Sequence, residues 1–195
     1  MIKSRLAFLM SAVVLASFFF SCGTNPEKNE HAGNTAPATD SAQLLKQGDY
    51  LVAIMGCNDC HSPKRLGPKG PEIIPEAMLS GYPANRPVAA YDTALAKRGI
   101  AQFNEDMTAA AGPWGISFAG NLTSDDTGIG NWTLDAFKNA MRHGRFKGSE
   151  NGRILLPPMP WVNYSRLTDD DAAAIFAYLK STKPVKNVAP APVHF

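Results

Sequence analysis

Two cysteines and a histidine stand at residues 57 to 61 in the order CNDCH. Cysteines three residues apart with a histidine directly behind the second suit three kinds of chemistry: dithiol–disulfide exchange, zinc binding, and covalent attachment of a haem. Each chemistry needs different surroundings. The rest of the chain therefore discriminates between them.

The surroundings of CNDCH do not fit the first two chemistries. A thioredoxin-type pair begins a helix that follows a strand in a βαβ unit, whereas this pair follows a helical pattern and no such unit is visible. A structural zinc ion needs four ligands. The remaining histidines, His31, His143 and His194, are isolated in the sequence, and His194 is expected at a frayed end.

Haem attachment accounts for each residue of the motif. Cys57 and Cys60 would lie on one side of a helical turn, so both sulfurs can form thioethers to the vinyl groups of one haem. His61 would then lie beneath the iron as an axial ligand. We therefore expect one covalent haem c, held by these residues.

The second axial ligand has to come from elsewhere in the chain. Met1 and Met10 belong to the predicted leader and Met55 is too close to the motif, which leaves Met78, Met107, Met141 and Met159. Met141 occupies an apolar position of a predicted helix, where a core role is usual. Met159 lies in LLPPMPW, whose prolines restrict the backbone on both sides. His143 is the second candidate, although a position at a helix C-terminus already explains it.

The N-terminus predicts export, which haem attachment requires. Lys3 and Arg5 precede an apolar run of about 15 residues, shorter than the roughly 20 that span a bilayer. Residues 1–21 therefore read as a signal peptide that resembles those of bacterial lipoproteins, with Cys22 as the lipidated residue. The polar stretch 22–40 reads as a flexible tether. We expect a lipid-anchored protein on the periplasmic side of a membrane.

The charge of the exported chain is balanced. Two of the 19 basic residues lie in the predicted signal, which leaves 17 against 17 acidic residues. A nucleic-acid-binding protein would normally show a basic excess, so we expect no such partner. Lipidation of Cys22 would also account for the odd number of cysteines.

The periodicity of the remaining sequence predicts helices and no sheet. Helical patterns begin near Ser41, at Thr133 and at Thr168, and the last ends before Pro184. A short helix is possible over 92–103. Six prolines between residues 62 and 87 indicate a long loop or a string of turns. The prediction is an all-α domain over 41–184 with a C-terminal tail, 185–195.

Three segments resemble the monohaem domains of bacterial c-type cytochromes, in particular the cytochrome subunits that accompany membrane dehydrogenases. They are GDYLVAIMGCNDCHS at 48–62, AGNLTSDDTGIGNWTLDAF at 119–137, and RILLPPMPWVNYSRLTDDDAAAIFAYLKS at 153–181. The resemblance implies a cytochrome c fold in which the axial ligands are His61 and Met159. It also implies a crossing of the first and last helices at Gly48, Tyr50 and Tyr178.

The function that follows is electron transfer. An iron with a ligand on both axial sides has no open position, and methionine ligation raises its reduction potential relative to two histidines. We expect a one-electron carrier, not an enzyme, between a dehydrogenase or quinol-oxidising donor and a cytochrome or oxidase acceptor. A single CxxCH indicates one haem. The alternatives are a haem-based gas sensor and a haem-containing subunit of an oxidoreductase.

A basic stretch leads into the Met159 segment. Six basic residues and one acidic residue, Glu150, lie between 138 and 166. The stretch could bind haem propionates or an acidic redox partner, in which case reversing Arg142 and Arg145 would slow reduction at low salt. An ordinary solvated surface is an equally good interpretation.

Overall fold

The computed structural model describes residues 41–195. The predicted signal peptide, Cys22 and the tether over 22–40 lie outside these residues, as does His31. Within the described part of the chain, no helix is long and apolar enough to cross a membrane.

Residues 41–195 contain six α-helices, two short 3-10 helices (Pro75–Ala77 and Phe146–Gly148) and five short strands. The helices are α1 (Ser41–Ile54), α2 (Cys57–His61), α3 (Thr93–Lys97), α4 (Leu134–His143), α5 (Trp161–Tyr164) and α6 (Asp169–Ser181). The strands are β1 (Lys64–Gly67), β2 (Gly70–Ile73), β3 (Gln102–Phe103), β4 (Ala109–Gly112) and β5 (Gly115–Phe118).

The helices α4 and α6 begin where capping residues predict. The side chain of Thr133 accepts a hydrogen bond from the Ala136 amide at 3.1 Å, and that of Thr168 accepts one from the Asp171 amide at 3.1 Å. Each cap satisfies an amide that has no partner within its helix. Gly144 ends α4 in the left-handed conformation, with φ of 62°. Both predicted helices are confirmed.

The expectation of an all-α fold is not confirmed, because the part between α2 and α4 contains two antiparallel sheets. The strands β1 and β2 form a hairpin within the proline-rich segment, with Leu66 opposite Pro71. The other sheet has the order β3-β4-β5. Every residue of β4 is buried, so the strand lacks the alternation of polar and apolar residues that would have identified it.

The possible helix over 92–103 is only half present. Asp92 caps α3, accepting hydrogen bonds from the amides of Ala94 and Leu95, and the helix ends at Lys97. Gly99 follows with a positive φ of 91°. Beyond Gly99 the backbone pairs with β4, so this part of the predicted helix is strand β3 instead.

The apolar core lies where α1, α4 and α6 meet. Its buried members come from these helices and from two loops: Val52, Leu79, Ile129, Phe137, Met141, Ala172, Ile175 and Leu179. Helices α1 and α6 approach closely at Gly48, where an added Cβ would lie 2.6 Å from the Cβ of Tyr178. Tyr50, expected at this contact, is instead 61% exposed.

The last residues of the chain pack against the rest. Val193 exchanges backbone hydrogen bonds with Ile116 of β5, at 2.7 and 3.0 Å. The side chain of Asn187 donates to the carbonyl oxygens of Ser80 and Tyr82 at 2.7 and 2.9 Å. The tail is therefore held as far as Val193, and His194 and Phe195 beyond it are exposed.

Candidate functional site

The CNDCH motif forms a single helical turn, α2, which we call the attachment turn (Cys57–His61). It follows α1 through Gly56, whose positive φ of 69° lets the chain change direction between the two helices. Within one turn, residues three apart lie side by side. The two thiols are therefore neighbours on one side of the turn, with His61 at its end.

Both thiols are free, and their environment does not favour disulfide chemistry. Cys57 and Cys60 are partly buried. Burial raises the pKa of Cys57 to about 11, and burial together with the charge of Asp59 raises the pKa of Cys60. Redox-active cysteines need the opposite, a lowered pKa that supplies the thiolate.

The ring of His61 is oriented by a backbone carbonyl. Its Nδ1 lies 2.7 Å from the carbonyl oxygen of Gly120. Since a carbonyl can only accept, Nδ1 carries the hydrogen and Nε2 keeps its lone pair for a metal. Burial lowers the pKa of His61, and the hydrogen bond to Gly120 offsets only part of that effect. The imidazole is therefore held in its neutral form, which binds metals.

The segment around Gly81 also holds His61, through a hydrogen bond to the backbone carbonyl of the histidine. The Gly81 amide donates to the carbonyl oxygen of His61 at 2.8 Å. Gly81 has a φ of 77°, and an added Cβ would lie 2.5 Å from the carbonyl oxygens of Ala119 and Gly120. Only glycine fits this position. Neither Gly81 nor Gly120 was predicted as a site residue from the sequence, although Gly120 lies in the AGNLT segment that carries the family resemblance.

Met159 lies in a loop that is fixed by its neighbours. The hydroxyl of Ser117 donates to the carbonyl oxygen of Pro157 at 2.6 Å, and the Met159 amide donates to the carbonyl oxygen of Leu156 at 3.3 Å. Helix α5 starts two residues later. The side chains of Met159 and Cys57 pack against the same core cluster, which brings the two ends of the candidate site to one apolar region.

The other proposed ligands occupy less suitable positions. Met141 is buried in the core, so its predicted core role is confirmed. Met107 is 42% exposed, and His143 is exposed at the end of α4. Met78 also borders the core, but the next residue, Leu79, donates its amide to Ser62 Oγ at 2.8 Å. That bond places the Met78 segment beside the histidine end of the attachment turn.

Tyr164 links helix α5 to the residues just before the attachment turn. This residue was not predicted as part of the site from the sequence. Its hydroxyl donates to the carbonyl oxygen of Met55 at 3.2 Å, which ties α5 to the chain just before the attachment turn. Burial raises the pKa of Tyr164, with a smaller contribution from the two thiols. The phenol therefore stays a neutral donor at pH 7.

The donor set fits a covalently bound haem better than a zinc ion. Residues 41–195 contain no group of three His, Cys, Asp or Glu side chains that could hold a metal. They do contain two neighbouring thiols, a neutral imidazole with a free Nε2, and a thioether on the same apolar cluster. These are the groups that attach and ligate haem c.

Several residues of the basic stretch between 138 and 166 form contacts within the molecule. Arg142 and Lys138 both pair with Asp169, at 2.7 and 3.2 Å. Arg145 donates to the carbonyl oxygen of Gly152 at 3.3 Å. Arg142 and Arg145 are therefore less suited to a charge-reversal test, because their substitution would also remove these internal contacts. Arg166 is exposed and offers a cleaner substitution.

Comparisons with known proteins point to one class of protein. The chain is 29% identical over 185 residues to the cytochrome subunit of fructose dehydrogenase from Gluconobacter japonicus, covering 94% of the chain and 30% of that subunit. It is 40% identical over 151 residues to the cytochrome c subunit of the quinone alcohol dehydrogenase of Gluconobacter oxydans, covering 75% of the chain and 24% of the relative.

A further match is one of the subunits of nicotinate dehydrogenase from Pseudomonas putida, 32% identical over 169 residues, which cover 85% of the chain and 11% of that relative. The chain thus spans less than a third of the length of each of these three relatives. No family model matches the chain.

Proposed function

Because the chain carries a c-type cytochrome domain of the kind found in the cytochrome c subunits of dehydrogenases, we propose that it transfers single electrons through a His61/Met159-ligated haem. It is an electron carrier and not itself a catalytic enzyme. The observation that carries the proposal is the His61 ring, whose Nδ1 is bound to Gly120 and whose Nε2 is therefore free for iron.

The chain's own residues have separate tasks in this proposal. Cys57 and Cys60 would hold the haem by two thioethers, so that it stays bound in both oxidation states. His61 and Met159 would both ligate the iron, which leaves it no open site for a substrate. When bound, the haem supplies an iron that alternates between ferrous and ferric states, which transfers one electron per cycle.

Met159 is the preferred second ligand for a geometric reason. A second ligand would have to come from a segment that is not tied to the His61 end of the attachment turn. Met78 is tied to the histidine end of the attachment turn through Leu79 and Ser62. Met159 arrives on a different loop, fixed by Ser117 and joined to the core.

The proposal includes one haem and a dehydrogenase donor. The chain contains a single CxxCH motif. The relatives are subunits of dehydrogenases, which supports a dehydrogenase as the donor, and we propose a cytochrome or an oxidase as the acceptor. We also propose anchoring to the periplasmic side of a membrane through lipidated Cys22, on the basis of the N-terminal sequence pattern.

The test is spectroscopy and potentiometry on protein isolated from detergent-solubilised membranes. We expect one covalent haem per chain, a single one-electron redox transition, and no binding of carbon monoxide to the native ferrous protein. Pigment that is extracted by acidified organic solvent would contradict covalent attachment. Rapid carbon monoxide binding would instead favour the gas sensor, and a dehydrogenase that copurifies would identify the donor.

A further inference from the structure

Lys64 follows the attachment turn by three residues and is the first residue of β1. Its side chain folds back onto the turn and is partly buried. The Nζ donates to the carbonyl oxygens of Asn58 (3.2 Å), Asp59 (2.7 Å), Ser62 (3.0 Å) and Asp106 (3.0 Å). Three of these four acceptors belong to the turn or to the residue directly after it.

The Asp59 carbonyl cannot accept from the usual amide four residues later, because residue 63 is a proline, whereas the Asn58 carbonyl also accepts from the Ser62 amide at 3.3 Å. The last carbonyls of a helix have no amide partners further along the helix, and they carry partial negative charge. An ammonium group is a compact charge with three donors, so it can serve several converging carbonyls at once. A planar guanidinium cannot place its donors in the same way.

The other end of this contact is anchored in a buried network. Asp106 is 2% exposed, and its carboxylate accepts from the Lys64 amide at 3.2 Å and from Arg86 at 2.7 Å. The Thr108 hydroxyl donates to the same carboxylate at 2.6 Å. Lys64 therefore connects the attachment turn to a polar network, through both its backbone and its side chain.

We propose that Lys64 is a positioning residue for the candidate haem site: its ammonium group fixes the C-terminal side of the attachment turn, holds His61 in register with Gly120, and raises the reduction potential. This inference rests on the proposed function. A fixed positive charge beside the turn disfavours the more positive ferric iron, so its removal lowers the potential.

The test compares Lys64→Gln and Lys64→Arg with Lys69→Gln, each produced as exported, haem-loaded protein. Lys69 is exposed in the turn between β1 and β2, so its substitution removes one positive charge from the same hairpin without touching the attachment turn. Two quantities are measured: the midpoint potential, and hydrogen exchange of the Asp59 and Ser62 amides in the reduced protein. The Asp59 amide lies within the turn and donates to the carbonyl oxygen of Gly56. The Ser62 amide lies directly after the turn and donates to the carbonyl oxygen of Asn58.

Relative to the control, Lys64→Gln should lower the midpoint potential and speed exchange of the two amides by about tenfold or more, the effect of losing one charge-assisted hydrogen bond. Lys64→Arg keeps the positive charge but loses the convergent geometry of the ammonium donors. Its midpoint potential should therefore stay close to that of the control, while the two amides still exchange faster than in the control. If Lys64→Gln does not accumulate, Lys64→Arg provides the comparison of exchange rates.

Amide protection in both Lys64 variants equal to that in Lys69→Gln would overturn the positioning role, even if the potential shifts. Wild-type protein without covalent haem would overturn the proposed function and this inference together. Haem-loaded wild type with variants that match the control would overturn only the role of Lys64.

Discussion

Gly48→Ala tests the crossing of α1 and α6, on which the position of the attachment turn depends. The added methyl carbon would lie 2.6 Å from the Cβ of Tyr178 and closer still to the carbonyl oxygen of Ala174. Carbon atoms in contact prefer about 3.5 to 4.0 Å, so the helices have to separate by about 1 Å. Val52 and Ile175, both buried at this contact, would then lose packing.

The magnitude follows from two opposing effects. Overpacking typically costs about 1–3 kcal/mol, and because the obstacle includes backbone, a cost near the upper end, about 3 kcal/mol, applies. Replacing glycine by alanine in a helix regains about 1 kcal/mol. The free energy of unfolding should therefore fall by about 2 kcal/mol, which corresponds to a decrease in Tm of roughly 4–8 °C for a domain of this size.

The assay is thermal and guanidinium unfolding followed by circular dichroism, with Gly120→Ala as the matched control. An added Cβ at Gly120 meets no atom within 4 Å, and the carbonyl that binds His61 is kept. The control should therefore change stability by less than about 0.5 kcal/mol. A Gly48→Ala protein as stable as the control would refute the close helix crossing.

Three further predictions concern the site and its supports. Met159→Ala should abolish the sulfur-to-iron charge-transfer band and lower the reduction potential; an unchanged optical spectrum would exclude Met159 as the ligand. Asp106→Asn should lower the free energy of unfolding at pH 7 by about 3 kcal/mol, because Arg86 loses its buried partner. Although burial by itself raises the pKa of Asp106, hydrogen bonds from Thr108 and Arg86 lower it overall. Its stabilising contribution is therefore present above about pH 4 and lost below, and urea titrations should show a smaller acid-induced loss in Asp106→Asn. Arg166→Glu should slow reduction by an acidic donor at low salt, with the difference disappearing as ionic strength rises; equal rates at low salt would remove the basic surface from the docking proposal.

The parts of the molecule that the sequence predicted are those with local causes. Thr133 and Thr168 cap their own helices, and the spacing of Cys57 and Cys60 is contained in one turn. The sheets depend on pairing between separate segments. Because Ala109, Ala110 and Ala111 are all buried, they show neither a polar face nor a period of two.

Hydrogen bonds between residues far apart in the sequence are the second feature that could not be predicted from the sequence. The bond between His61 and Gly120 joins residues 59 positions apart, and the bonds from Asn187 to Ser80 and Tyr82 join residues more than 100 apart. Neither glycine nor asparagine has a pattern that identifies such a partner in advance. The orientation of the histidine ring therefore became visible only in the structure.

His61 and Met159, the two proposed iron ligands, are held by different interactions. The histidine side depends on polar contacts: the Gly81 amide and the Gly120 carbonyl hold His61, and Leu79 bonds to Ser62. The methionine side depends mainly on apolar packing of Met159 against the core, with one hydroxyl contact from Ser117. Hydrogen bonds require a specific geometry, whereas apolar packing tolerates substitutions that preserve volume. The sequence between α2 and α4 therefore orients the histidine, and the core packing of α1, α4 and α6 determines how firmly the methionine is held.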